Sequence, residues 1–268
     1  MKRSRTWSET LTAALTMVAA ALATGCSAGQ GGATPMPASP SLVAAPATSA
    51  PTSASPLPTP AFANVFDGSL QAGTTYVVND SRVDGPRWVV LTVPAAGWVS
   101  NDWILFKNLP GRSDSHVIAL STWTVGNLKI DPCNWQAGAL DPPLGPTVAD
   151  LASALVKQAG PAKGTSTDAT LGGYRGKKIV FSIPADFDST ACDEGGFSRW
   201  EAASEPGASG GWIYGGGMRN AIYIMNVDGR RVVVDTMSLP SASASDLAEL
   251  DELIASIRFE PRGSSPSP

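Results

Sequence analysis

Three thiols, one imidazole and one crowded set of carboxylates are the groups in this sequence whose types and spacing could do chemistry. Cys26 follows an uncharged Ala/Leu-rich stretch, Leu11–Gly25, which itself follows the basic start Lys2, Arg3 and Arg5. A positive end, a short apolar run and small residues before a cut make a secretory leader. The run is too short for the roughly 20 apolar residues that a membrane span needs. Cys133 and Cys192 lie much further on, and His116 is the one histidine. With a single imidazole and so few cysteines, a tetrahedral zinc site is not expected. Asp186, Asp188, Asp193 and Glu194 crowd one acidic loop and are a weak candidate for Ca²⁺. Oxygen ligands at alternating positions can hold that ion. The sixth position from Asp186 is Ala191 and the twelfth is Phe197, where a calcium loop needs Gly and Glu. A solvated acidic turn is therefore the expectation, with no metal and no cofactor.

Ala23-Thr24-Gly25-Cys26 resembles the bacterial lipobox, Leu-(Ala/Ser)-(Gly/Ala)-Cys, with Leu22 one place further out than usual. The resemblance implies that Cys26 becomes the first mature residue and carries a diacylglyceryl thioether and palmitate-type acyl chains. Several chains, at about 0.8 kcal/mol per buried CH₂, make a stable anchor. Two cysteines then remain in an exported chain, and pairing of Cys133 with Cys192 is the default. Gly207–Gly211, GASGG, resembles the Gly-Asp-Ser-Gly-Gly of trypsin-like proteases, but Ala208 replaces the Asp and His116 lacks the matching flanks. A glycine-rich loop is the better reading, because a triad is recognised by its roles. The remaining candidates are aromatic. Trp88, Trp98, Trp103, Trp123, Trp135, Trp200 and Trp212 outnumber the four tyrosines. Most belong in a core. Trp200 and Trp212 lie in glycine-rich segments and are the expected ligand contacts of an aromatic pocket.

The segments that must position these groups follow from composition. Residues 1–25 read as leader. Residues 26–60, from Cys26 on, contain no Asp, Glu, Lys or Arg and are rich in Pro, Ser, Thr and Ala. Such a stretch cannot bury enough apolar surface to order itself. As a coil it reaches roughly 30–35 Å, enough to stand a domain off a bilayer. Residues 61–262 are expected to form one domain, and 263–268 a disordered tail. A net charge of -4 and only the adjacent pairs Lys177-Lys178 and Arg230-Arg231 exclude a nucleic-acid footprint.

Within the domain, β-branched runs from Arg87 and from His116, bounded by turn residues, read as strands. The stretch 146–161 predicts a helix capped by Thr147 with Asp150 three residues on; Leu151, Ala152, Leu155 and Val156 fall on its apolar stripe. Asp228-Gly229 predicts a two-residue hairpin turn. Ser243 with Asp246, or Ser245 alone, caps a second helix, whose expected stripe is Leu247, Leu250, Ile254 and Ile257. The order predicts an α+β fold: a largely antiparallel twisted sheet with two main helices packed on it.

From about Trp88 to Phe259 the chain resembles an uncharacterised domain of lipoproteins from high-GC Gram-positive bacteria and Chloroflexi. TVPAAGW, DPCNW, PPLGPTVADLASAL, TLGGYRGKK, IPADFDSTAC, IMNVDGRRVVV and ELDELIASIRFEP carry the resemblance. In that family the two cysteines recur together, which implies the Cys133–Cys192 bridge. The entry, middle helix, hairpin and final ISIRF are also similar to the Mog1/PsbP-like fold, some of whose mycobacterial lipoproteins bind envelope glycolipids. The resemblance implies a lipid-anchored domain on the outer face of the cytoplasmic membrane. Its expected partners are that membrane and an envelope lipid, glycolipid or protein. An enzyme is not expected; an envelope hydrolase with an unrecognised site and a purely structural accessory are the alternatives.

Overall fold

The computed structural model describes residues 63–64, 68–78, 83, 85–101, 104–108, 116–158, 160, 163–204 and 208–262. All of these fall in one compact unit, Pro56–Pro268. The leader, Cys26, the linker, Trp103 and the tail from residue 263 lie outside the described residues.

The strands, in chain order, are β1 Ala63–Asn64, β2 Gly68–Ser69, β3 Thr75–Val78, β4 Arg87–Thr92, β5 Val99–Asn101, β6 Ile104–Asn108, β7 His116–Trp123 and β8 Val125–Leu128. They continue as β9 Gly164–Leu171, β10 Tyr174–Ser182, β11 Trp200–Ala202, β12 Ser209–Gly210, β13 Arg219–Val227, β14 Arg230–Ser238 and β15 Arg258–Pro261. Two helices interrupt them, α1 Val148–Lys157 and α2 Ala244–Ala255. Eight strands form the main sheet in the order β2-β5-β6-β7-β14-β13-β10-β9. Two smaller sheets, β1-β3-β4-β15 and β12-β11-β8, complete the set. β1 and β3 run parallel, and the other pairings are antiparallel.

Side-chain alternation on the long strands gives the main sheet two buried faces. On β14, Val232 and Val234 enter one core with Leu250, Leu253, Ile254 and Ile257 from α2 and its end, and with Val89 and Leu91 from the four-stranded sheet. Val233 enters the other with Leu151, Ala152 and Leu155 of α1 and with Val125, Leu128 and Trp200 of the three-stranded sheet. The Asp228-Gly229 turn joins β13 to β14 with φ of 50° and 82°, which suits the right-handed ribbon twist. Both helices start with full capping boxes, Thr147 with Asp150 and Ser243 with Asp246. On α2, Leu253 takes the core place expected for Leu247, which is 40% exposed.

The expected α+β sandwich is corrected here: this is a more β-rich architecture, with three sheets and only two α-helices among the described residues. The reason is coverage. Eight strands at about 4.8 Å spacing make a sheet roughly 34 Å wide, and a helix is only about 10 Å across. One helix per face leaves most of each face bare. The four-stranded sheet helps to close one side, and the β8-β11-β12 sheet, formed partly by segments that read as glycine-rich loops, helps to close the other.

Candidate functional site

The two tryptophans singled out by their glycine-rich setting have different environments. Trp200 on β11 has 0% exposure. Its ring stands edge-on to Trp123 at 6.1 Å, and a Cβ on Gly210 would come within 2.4 Å of its indole nitrogen. Strands β8 and β12 flank β11 and help to seal the ring in, so the expectation that Trp200 contacts a ligand is corrected: it is a core residue. Trp212 is half-buried, edge-on to Trp135 at 5.4 Å and stacked on Tyr214 at 6.0 Å.

Cys133 and Cys192 form a disulfide. Around it the acidic loop is used to fasten two turns together. Asp193 N donates to Cys133 O at 2.8 Å, and Trp135 Nε1 donates to the carbonyls of Asp193 and Gly196, both at 3.1 Å. Gln136 N donates to Asp193 Oδ2 at 3.0 Å, and Gln136 Nε2 to Glu194 Oε1 at 2.9 Å. Asp188 caps the short turn Ser189–Ala191, accepting from Thr190 N and Oγ1, and those bonds lower its pKa. Asp186 is exposed. Among the described residues no group of three or more His, Cys, Asp or Glu could hold a metal ion. His116 stacks on Phe106 at 3.8 Å, and burial lowers its pKa. Ser209 Oγ is buried without a partner, so the GASGG serine has no imidazole bonded to it.

Beside Trp212 lies a cleft of about 40 Å³. Its floor is the main sheet, and the register explains which residues meet there. Ile104, Ser121, Asp235 and Ile222 form one row across β6, β7, β14 and β13. Ala119, Met237 and Asn220 form the next. Trp123, Trp212 and Tyr214 complete the walls. Ser121 Oγ accepts from Trp123 Nε1 at 2.8 Å. Asn220 Nδ2 donates to Asp235 Oδ1 and to Thr236 O, both at 3.3 Å, while its own Oδ1 is buried and unpartnered.

Asp235 is the unusual group. Burial pushes its carboxyl up to about 7, against the pull of the Arg199 charge and of the Asn220 bond. Arg199 is 1% exposed, and burial brings its pKa down to about 10, against the pull of Asp235. Its guanidinium lies over Phe181 at 3.9 Å and near Phe197 at 5.2 Å, with Nε and Nη2 unpartnered. A carboxyl pushed up by burial, on the floor of an aromatic-walled cleft, makes this cleft the candidate functional site. Sequence reasoning missed Asp235, Asn220, Arg199 and Tyr214. The readable signal was one charge, Asp235, within the β-rich run VVVDTM.

The floor offers hydrogen bonds from a carboxyl and an amide, and the walls offer ring faces. That combination suits a hydroxylated ligand. A raised carboxyl also suits a general acid, but glycoside hydrolysis uses a pair of carboxyl groups, and the residues lining this cleft include one.

No protein-family description matches the chain, and no curated protein matches it. A solved structure, LpqN, involved in cell envelope biogenesis of Mycobacterium tuberculosis, is similar over 73% of this chain and 91% of its own, with 12% identity and a TM-score of 0.32. No residue role and no ligand is carried over from that likeness. Among the described residues no helix is long and apolar enough to cross a membrane.

Proposed function

We propose that this chain is an extracytoplasmic lipoprotein, tethered to the outer face of the cytoplasmic membrane through acylated Cys26, whose domain binds the sugar-bearing part of an envelope glycolipid without turning it over. The observation that carries the reading is the cleft at Trp212 and Tyr214, with Asp235 and Asn220 at its floor. Sugar C–H faces pack on aromatic rings, and sugar hydroxyls pair with carboxyl and amide groups. A space of about 40 Å³ takes a hydroxymethyl arm, leaving the ring to lie on Tyr214, which is 60% exposed. The lipid anchor and linker keep such a site within reach of a bilayer.

Native mass spectrometry of the full chain, extracted in detergent from its own envelope, tests this by recovering a bound glycolipid. Trp212→Ala and Tyr214→Ala are expected to lose it, since each removes about 1–3 kcal/mol of stacking and burial. Equal recovery from both variants moves the ligand elsewhere. Cys26→Ser is expected to leave the chain in the soluble fraction. The raised Asp235 carboxyl favours a second reading, an envelope hydrolase with Asp235 as general acid. Turnover of an envelope glycoside that Asp235→Asn abolishes, with binding intact, would replace the first reading with the second.

A further inference from the structure

A second cleft lies at the start of α1. It encloses about 450 Å³ and is lined by Arg175 and Lys177 of β10, Asn226 of β13, Arg231 of β14 and the start of α1 from Pro146. The sheet makes this gathering inevitable. Arg175 and Lys177 alternate onto the face that carries Ile179 and Phe181. Asn226 pairs with Arg231, and Ile224, the partner of Lys177, pairs with Val233. Three cations, two on β10 and one on β14 with β13 between them, thus share one end of one face in a chain of net charge -4.

Their existing partners answer that charge in part, through Asp168 at Lys177 and the Asp150 charge near Arg231, and leave Arg175 without an ion partner among the described residues. Arg231 donates through Nη1 to Gly145 O at 2.8 Å and Thr147 O at 3.2 Å, and through Nη2 to Val125 O at 2.9 Å. These carbonyls fix the guanidinium without neutralising it, and its Nε is buried and unpartnered. Burial lowers its pKa and the Asp150 charge raises it, and it remains a cation. Arg175 is exposed with no ion partner among the described residues. Lys177 meets Asp168 at 2.6 Å, but that carboxylate is 90% exposed and does not line the cleft. Asp150 is held in the capping box by Thr147 N and Oγ1 at 2.9 and 2.7 Å, so the helix start is already answered and the three side chains make the site.

We propose that this cleft binds a phosphate group, with Arg175 and Lys177 as mobile ligands and Arg231 as a fixed positive wall. A tetrahedral oxyanion suits a site with cations on two sides, and charge-assisted bonds of this kind are the strong ones. The group could arrive on an anionic phospholipid or free in solution, and the test separates the two.

The mature chain carrying Cys26→Ser, which has no acyl anchor, is titrated with inorganic phosphate at low salt and followed by backbone amide shifts. Saturable shifts confined to residues 175–177, 226 and 229 are expected. Arg175→Gln/Lys177→Gln, exposed or half-exposed positions whose change spares both cores, is expected to weaken them by about tenfold or more. The same chain is then floated with vesicles of phosphatidylcholine, with and without phosphatidylglycerol. Retention on the anionic vesicles that phosphate competes away assigns the lipid head group. Phosphate binding without retention assigns the free anion. Shifts spread over all surface cations, or an unaltered double variant, overturn the proposal.

Discussion

Asp235 places a titratable group where a sheet would ordinarily place valine, and its energetics follow directly. Its ordinary pKa is 3.8, and the folded value is about 7. The folded state therefore holds a proton that the unfolded chain releases between those values. Stability from this group is complete below about pH 4, is lost as pH rises to about 7 and is level above that. Each pH unit across that window amounts to about 1.4 kcal/mol, so ionisation by pH 8 subtracts on the order of 4 kcal/mol. Asp235→Asn is expected to flatten the profile of urea unfolding free energy between pH 4 and 8 and to exceed the parent at pH 8. A parent profile that is already flat over that range would show that the carboxyl is solvated. Part of this was legible. The Asp228-Gly229 turn alone fixes the β13–β14 register and so sets Asp235 opposite Ile222. The separate fates of Trp200 and Trp212 were not legible. Both stand in glycine-rich surroundings, and only the distant strand β8, pairing with β11, decides which ring is buried.

Elements whose signals are local read well, and those defined by distant partners do not. Each capping box is written within four residues, and both form as spaced in the sequence. Ser243 Oγ accepts from Asp246 N at 3.1 Å, and Asp246 Oδ2 accepts from Ser243 N at 3.0 Å. Ser243→Ala removes one half of this exchange and is expected to cost about 1 kcal/mol, read as a drop in the unfolding midpoint at constant denaturant slope. A slope that changes with it would point instead to altered compactness. Strand β9, GTSTDATL, carries almost no apolar alternation because it forms the sheet edge, and four consecutive residues from Thr165 are exposed. Strand β11 is three residues long, too short for any period to show. The stripe on α2 slipped for a related reason. Leu247 and Leu253 both fit a helical period, and the position of β7 and β4 beneath the helix decides that Leu253 is buried at 0% while Leu247 is 40% exposed.

At the scale of the molecule, the disulfide links two turns beside the candidate cleft, one at Trp135 and one at Asp193. It joins residues separated by 59 positions, a span that contains α1 and the strands β9 and β10 at one edge of the main sheet. Closing a loop of that length removes conformations from the unfolded chain worth about 4 kcal/mol in the chain-entropy account. The bridge also pins the turn at Trp135, whose ring stands edge-on to Trp212 at 5.4 Å. Two consequences separate. The paired variant Cys133→Ser/Cys192→Ser is expected to melt lower by roughly 8–16 °C, since about 1 kcal/mol moves a domain of this size by 2–4 °C. It is also expected to lose ligand at the Trp212 cleft at temperatures where circular dichroism still reports a folded sheet. That edge-on contact then fails before the core does, because the turn is held chiefly by the bridge and by bonds around Asp193, whereas the sheet has two buried faces. Melting and ligand loss at one shared temperature would mean that the aromatic wall is held by the core alone and that the bridge acts only on the unfolded chain.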